Sequence, residues 1–175
     1  MSEVIRGYWA HAICNHDFIC VETYSGYRGG TNVDPKGKRL FLSPDVGDDV
    51  LGAAVLNAIA HSRFVLGAPR EGSSYPPDVE FDMELYDYKL NIERHAQWVK
   101  DLMTRYGYKT KRALYKGMRN CSIENQQGVL TIGPYHHSKL DMWERGDIEN
   151  VVIPAESTSA EIGAALRLGF SRCTE

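Results

Sequence analysis

The sequence predicts an α+β domain in which about three helices pack on a mostly antiparallel sheet, in the order β-β-α-α-β-β-β-β-α. Two observations favour this class. Apolar segments of strand length are separated by connections rich in glycine and asparagine, which are typical of hairpins. One long segment has apolar residues at helical spacing. The 175 residues are enough for one domain with a substantial core, so we expect a single domain over 1–175.

The N-terminal part predicts two strands joined by a wide connection. Residues 13–24 are apolar and aromatic without glycine or proline, which indicates one strand. Residues 26–37 contain four glycines together with asparagine, aspartate and proline, which predicts a loop. Residues 38–42 then form the second strand. Because such connections favour hairpins, we expect the two strands to be antiparallel.

Three helices are predicted from apolar spacing and from their termini. Residues 48–63 begin with acidic side chains that complement the helix dipole, and the small residues at 52–54 would let this helix approach a sheet closely. Residues 83–106 carry an apolar residue every three or four positions, and Gly107 is placed to end the helix. Residues 158–172 begin with a capping-box pattern.

Four further short strands are predicted at residues 113–118, 121–124, 129–132 and 151–153. Residues 67–77 are rich in glycine, proline and serine, which indicates a mobile loop rather than a domain boundary. Neither half of the chain would make a good domain alone.

Two stretches of the chain echo each other. Leu51-Gly-Ala-Ala-Val55 and Ile162-Gly-Ala-Ala-Leu166 each follow an apolar run that ends in proline. The echo is compatible with a duplicated strand–helix unit. It is equally compatible with two small-faced helices that match by chance, because Gly-Ala-Ala is a common sequence. The sequence leaves both interpretations open.

The net charge and the apolar content of the chain argue against some classes of protein. The net charge of −3 argues against a dedicated nucleic-acid binder, whose domain is usually basic. No apolar run approaches the roughly 18 residues of a membrane span, and the N-terminus lacks the pattern of a signal peptide. We therefore expect a cytoplasmic protein with no membrane partner. In that compartment, the four cysteines are expected to be free thiols: Cys14, Cys20, Cys121 and Cys173.

Two groups of cysteine and histidine residues are candidates for a catalytic or metal site. Cys14, His16 and Cys20 would share one face of the predicted first strand, but a structural zinc site needs four ligands at paired spacing. His136 and His137 are adjacent and have no evident partner for general-base catalysis. Nucleotide-binding and hydrolase motifs are absent from the sequence. We therefore expect no catalytic residue, cofactor or metal; a small hydrolase or metal enzyme using these histidines is a rival interpretation.

Charge is segregated along the chain. Residues 105–119 hold six Lys or Arg and no acidic residue, with tyrosines between them, which would suit a small nucleic-acid-binding module. An acidic segment over 78–88 could instead bind a cationic protein, and either run could be a plain solvated face. The candidate partner-binding residues of the acidic segment are Asp78, Glu80, Asp82, Glu84, Tyr86, Asp87 and Tyr88.

With these motifs placed, the chain resembles one known family, and the likeness extends from about residue 41 to 173. The segments that carry it are Leu42-Ser-Pro-Asp-Val46, Leu51-Gly-Ala-Ala-Val55, His61-Ser-Arg-Phe64, residues 98–118, Val152-Ile-Pro-Ala155 and Ile162-Gly-Ala-Ala-Leu166. In this order they resemble the CdiI-type immunity proteins of bacterial contact-dependent growth inhibition systems.

The resemblance implies a specific function. Such a protein is not an enzyme: it binds its cognate toxin C-terminal domain, often a nuclease, in the cytosol and blocks the toxin's active site or substrate groove. Nuclease toxins tend to be basic, so the acidic segment is our candidate for the toxin-binding face. Simultaneous charge reversal of Glu80, Asp82 and Asp87 is then expected to weaken toxin binding. The resemblance itself transfers no binding residue and does not indicate an oligomeric state.

Overall fold

The computed structural model describes residues 3–175, and a seven-stranded antiparallel sheet forms its centre. The strands of the chain are β1 (Gly7–Cys14), β2 (Ile19–Gly26), β3 (Thr31–Val33), β4 (Arg39–Leu42), β5 (Val65–Leu66), β6 (Glu80–Phe81), β7 (Arg119–Gln126), β8 (Val129–Pro134), β9 (His136–Lys139), β10 (Met142–Glu144) and β11 (Val151–Pro154). The main sheet has the order β11-β8-β7-β1-β2-β3, and β4 also pairs with β2. The strands β9 and β10 form a separate hairpin, while β5 and β6 form a short parallel pair.

Four α-helices accompany the sheet: α1 (Asp48–Ala60), α2 (Tyr88–Tyr106), α3 (Lys111–Tyr115) and α4 (Ser159–Arg172). A short 3-10 helix (Met83–Tyr86) precedes α2. The α+β class and the mostly antiparallel sheet are confirmed, with one helix and several strands more than expected. None of the helices within the described residues combines the length and the apolar character needed to cross a bilayer.

The sheet is built from a repeated β-β-β-α unit. The first copy is β1, β2, β4 and α1, and the second is β7, β8, β11 and α4. The two copies meet where β1 pairs with β7, with Ala10 opposite Ile123 and His11 opposite Ser122. Outward from this pair, β2 and β8 follow, and β4 and β11 come next to them. The arrangement has the connectivity of a pseudo-twofold axis, so the sequence echo marks a larger structural repeat.

The helices α1 and α4 lie together on one face of the sheet and form its main core. The buried residues of this core include Leu51, Val55, Ile123, Ile162 and Leu166. The small residues of α1 were expected to let it approach the sheet. Their closest approach is instead to α4, because a Cβ atom at position 52 would lie 1.7 Å from the backbone oxygen of Ser159.

A second, separate core lies at one end of the opposite face. There α2 and α3 pack on side chains of β1 and β2. Its buried members are Ile13, Phe18, Cys20, Trp98, Val99, Leu102, Leu114, Tyr115 and Met118. Because the strands alternate their side chains between faces, the two cores share no residue.

The prediction of a single strand over 13–24 is wrong, because the chain reverses between Cys14 and Ile19. The Asn15 side chain accepts hydrogen bonds from the backbone N–H groups of Asp17 (2.9 Å) and Phe18 (3.3 Å). The Asn15 N–H also donates to the Phe18 carbonyl at 3.1 Å. This Asx-type turn needs neither glycine nor proline, so the sequence has no residue here that usually interrupts a strand.

The prediction of a strand over 113–118 is also wrong, because α3 covers its first three residues and a turn follows. The Thr110 hydroxyl caps α3 by accepting a hydrogen bond from the Ala113 N–H at 3.1 Å. The helix predicted over 83–106 is confirmed from Tyr88 onward, and Gly107 ends it as expected. Asp87 has an extended backbone and separates α2 from the 3-10 helix, and α1 ends at Ala60, three residues early.

Candidate functional site

A cleft of about 550 Å³ lies on the sheet face opposite α1 and α4. Its floor is formed by β1 and β2, and its walls are formed by α2 and by the β9–β10 hairpin. The second core covers only one end of this sheet face. The remaining part of the face therefore stays open and carries polar and aromatic side chains.

The floor of the cleft contains a stack of aromatic rings. The ring centres of His11 and Tyr24 are 3.9 Å apart and the rings are nearly parallel, and the ring centre of Tyr135 lies 5.9 Å from that of His11. His11 Nδ1 lies 3.4 Å from the Asn120 side-chain oxygen. Burial lowers the pKa of His11 to about 4, so the imidazole is neutral at physiological pH. A neutral stacked ring is suited to packing against a partner rather than to acid–base catalysis.

A charged pair lies beside this stack. Arg39 Nε donates a hydrogen bond to the buried Glu22 carboxylate at 2.7 Å. Burial raises the pKa of Glu22, and the neighbouring Arg39 cation opposes that shift. The guanidinium of Arg39 also lies 5.5 Å from the ring centre of Trp98, within cation–π distance. Trp98 Nε1 is buried at the cleft without a hydrogen-bond acceptor among the described residues.

The β9–β10 hairpin beside the cleft has one stacking contact of its own and one contact with α2. The rings of His137 and Trp143 stack within the hairpin at 4.1 Å. His95 of α2 bonds to the Asp141 carboxylate of the hairpin at 2.5 Å. This hydrogen bond raises the pKa of His95. Burial alone would raise the pKa of Asp141, but the bond with His95 and other neighbours lower it.

The acidic segment is held to the body of the protein by several of its own carboxylates. Asp82 accepts a hydrogen bond from Arg63 Nη2 at 2.9 Å, and Asp78 pairs with Arg6 at 3.1 Å. Asp87 caps α2 by accepting a hydrogen bond from the Leu90 N–H at 2.9 Å. The Tyr86 hydroxyl donates to the Val65 carbonyl at 2.6 Å. These groups therefore have structural partners already.

Other side chains of the acidic segment point to solvent. Glu80, Glu84 and Tyr88 are 58, 78 and 81% exposed. Phe81 and Met83 lie between them in the sequence and are also exposed. Glu80 and Glu84 also make long ion pairs, with Arg63 at 3.9 Å and with Arg94 at 3.7 Å. The structure thus divides the candidate residues into a group with short hydrogen bonds to the protein and a more exposed group with weaker internal contacts.

The acidic segment is connected to the cleft through Arg63. Its guanidinium binds both oxygens of Asp34, at 2.7 and 3.1 Å, as well as Asp82. Asp34 lines one end of the cleft and also accepts a hydrogen bond from Ser25 at 2.6 Å. Burial alone would raise the pKa of Asp34, but the hydrogen bonds from Arg63 and Ser25 lower it. Arg63 therefore links the acidic segment, through the buried Asp34 carboxylate, to the lining of the cleft.

The structure weakens the nucleic-acid interpretation of residues 105–119. Tyr106, Tyr108 and Tyr115 pack against the second core instead of presenting stacking faces. Arg105 lies 4.1 Å from the ring centre of Phe41. The remaining basic residues are exposed without the interleaved aromatic platform that single-stranded binding uses.

The structure separates the residues of the metal interpretation. Cys14 packs on the main core, whereas Cys20 belongs to the second core on the opposite face. The turn at Asn15 causes this difference, because the two thiols lie on different strands. Within residues 3–175, no three His, Cys, Asp or Glu side chains converge as metal ligands would. His136 contacts Thr174, while His137 stacks in the hairpin.

Comparisons with known proteins support one family. The family model described as CDI immunity protein (CdiI) matches residues 8–173. The immunity protein CdiI-YPIII of Yersinia pseudotuberculosis serotype O:3 (strain YPIII) is 47% identical over 176 residues, covering 99% of each chain.

Two solved structures have the same fold. A chain of the CdiA-CT/CdiI toxin and immunity complex from Yersinia pseudotuberculosis matches with a TM-score of 0.93 and 47% identity, over 98% of this chain and 100% of that one. A protein of unknown function from Neisseria meningitidis, NMB0488, matches with a TM-score of 0.81 and 32% identity, over 99% of both chains. The match of the family model over nearly the whole chain, together with these relatives, shows that the chain belongs to the CdiI family of CDI immunity proteins.

Proposed function

We propose that this protein binds the C-terminal toxin domain of its cognate CdiA protein and neutralises it. The observation that carries the proposal is the likeness, at a TM-score of 0.93 over 98% of the chain, to a structure described as a toxin and immunity complex. We further propose that the toxin is a nuclease, that the complex forms in the bacterial cytosol, and that neutralisation requires binding alone without any catalysis by this chain.

The proposed toxin-binding face is the acidic segment together with the adjoining opening of the cleft. Glu80, Glu84 and Tyr88 would make the direct contacts, since they are exposed and bring negative charge and a rigid aromatic ring to one surface. The other candidates, Asp78, Asp82, Tyr86 and Asp87, would hold the segment in its binding conformation through the contacts already described.

The negative charge of the acidic segment favours a basic partner. The exposed carboxylates of the segment would attract a basic surface and speed association, and a nuclease presents such a surface where it binds its phosphate substrate. An immunity protein that covers this surface would exclude the substrate directly.

Co-expression tests the proposal. The toxin domain encoded immediately upstream of this gene is induced in bacteria with and without this protein, and growth and co-purification are measured. Rescue of growth with a stable complex is the expected result. If both proteins are well expressed and neither rescue nor complex is found, binding to that toxin is refuted. Nuclease activity of the purified toxin, with and without this protein, then tests the nature of the toxin and the direct block.

A further inference from the structure

Two thiols from distant parts of the chain meet at the end of α4. The Sγ atoms of Cys121 in β7 and Cys173 after α4 are 3.7 Å apart, although 52 positions separate the residues in the sequence. This distance is van der Waals contact, and a disulfide requires about 2.05 Å. A modest movement of one side chain would therefore allow a bond to form.

The two thiols differ in their access to solvent. Cys121 is fully buried under α4 in the main core. Cys173 is partly exposed, because it follows the last turn of α4 close to the C-terminus. The pair thus consists of one buried and one partly exposed cysteine, as in pairs of a resolving and a reactive cysteine.

The surroundings also favour ionisation of the outer thiol. The hydrogen bond from the Cys121 thiol lowers the pKa of Cys173, and the positive charge of Arg119 acts in the same direction. Burial raises the pKa of the other two cysteines, Cys14 and Cys20. Since the thiolate is the reactive species, Cys173 is the cysteine that an oxidant would modify first.

We propose that Cys173 and Cys121 form an oxidisable pair that hydrogen peroxide converts into an intramolecular disulfide. The Cys173 thiolate attacks one peroxide oxygen, the O–O bond breaks, and a sulfenic acid and, after protonation, water result. The Cys121 thiol then attacks the Cys173 sulfur, its proton passes to the leaving hydroxide, and a second water leaves. The sum is two thiols and one peroxide giving one disulfide and two waters.

The disulfide would fix the C-terminal residues to the centre of the sheet. Thr174 already contacts β9, because its carbonyl accepts a hydrogen bond from the His137 N–H at 2.8 Å. A crosslink at Cys173 would hold this contact and close a long loop between β7 and the C-terminus. Closing such a loop lowers the entropy of the unfolded chain, so the oxidised protein is expected to unfold about 5–10 °C higher than the reduced one.

Peptide mapping after peroxide treatment tests the proposal on the purified full-length protein. Trypsin separates the cysteines into three peptides, at residues 7–28, 120–139 and 173–175. Treatment with stoichiometric hydrogen peroxide, followed by alkylation of free thiols, is expected to yield 120–139 joined to 173–175. A thermal scan of the same sample is expected to show the higher unfolding temperature, which dithiothreitol reverses.

Matched variants distinguish oxidation of the pair Cys121 and Cys173 from oxidation of Cys14 and Cys20. The double variant Cys14→Ser/Cys20→Ser keeps the pair and is expected to form the crosslink in the same yield as the wild type. Cys173→Ser removes the outer thiol at a partly exposed site and is expected to lose both the crosslink and the thermal shift. The proposal is overturned if the wild type joins 7–28 to 173–175, forms crosslinked dimers, or carries Cys173 only as sulfinic acid.

Discussion

Gly52 lies directly against the backbone oxygen of Ser159, since a Cβ atom at position 52 would come within 1.7 Å of it. This contact sets how closely α1 and α4 approach each other. We expect Gly52→Ala to force the helices apart and to lower the free energy of unfolding by about 3 kcal/mol, despite the better helix propensity of alanine. Urea denaturation followed by circular dichroism measures the loss. Gly29→Ala is the control, because nothing lies within 4 Å of its Cβ position.

The structural repeat predicts that Gly163→Ala has a similar effect. Gly163 occupies the equivalent place in α4, and its Cβ atom would lie 1.8 Å from the backbone oxygen of Asp48. The double variant should lose less free energy of unfolding than the sum of the two single variants, because one separation of the helices relieves both clashes. Full additivity in the same denaturation experiment would argue against a shared helix movement.

Removal of Arg63 should be strongly destabilising. Arg63→Met leaves the Asp34 carboxylate, whose side chain is fully buried, without its main cation. An uncompensated buried charge costs about 3–5 kcal/mol of unfolding free energy. Lys36→Ala is the matched control, because Lys36 pairs with Asp82 of the same network at 3.5 Å but is mostly exposed. Its loss should cost less than about 1 kcal/mol. Equal losses in the two variants would contradict this account of the network.

The bond between His95 and Asp141 predicts a pH-dependent contribution to stability. The pKa of His95 is raised in the folded state, so the contribution is complete below about pH 6.5 and is lost as the pH rises through the folded-state value. Asp141 and Glu22 favour the cation, whereas Lys111 opposes it. His95→Gln should therefore destabilise the protein by about 0.5–1 kcal/mol at pH 5.5 and by less at pH 9. Urea denaturation of both proteins at the two pH values measures the difference; a constant difference would refute the linkage.

The proposed toxin-binding face predicts a selective loss of affinity. The variant Glu80→Lys/Glu84→Lys/Tyr88→Ala changes only exposed side chains of the acidic segment and leaves the structural contacts of Asp82 and Asp87 in place. Its affinity for the cognate toxin should fall at least tenfold, measured by calorimetry, while its unfolding free energy stays within about 1 kcal/mol of the wild type. Asp147→Lys/Glu156→Lys changes exposed carboxylates outside the segment and should bind normally. Unchanged affinity in the first variant would exclude this face.

Two helix ends with a clear capping signal could be predicted from the sequence. The capping box before α4 and the glycine after α2 mark positions at which the backbone changes conformation, and both were located correctly. The turn at Asn15 was missed because a side-chain amide replaces the usual glycine or proline. The sequence predicts a strand where α3 lies, because the five residues of this helix are too few to show a helical period.

The cleft could not be inferred from the sequence. Its residues come mainly from β1, β2, the segment 31–39, α2 and the β9–β10 hairpin, which are far apart in the chain and meet only in the folded protein. His11 and Tyr24 face each other because β1 and β2 pair in one particular register. The acidic segment was visible as a run of charge, but the division between its structural and its exposed carboxylates depends on Arg63, which lies outside it.

The two faces of the sheet differ in how many amino-acid substitutions they can tolerate. The repeat places its paired helices on one face, where glycine contacts allow almost no variation in side-chain size. The parts that depart from the repeat, α2, α3 and the β9–β10 hairpin, lie on the opposite face around the cleft. Because the two cores share no residue, substitutions around the cleft are expected to leave the helix pair packed. With the toxin bound at the proposed face, such a scaffold would follow a changing toxin through successive mutations while its folding remains intact.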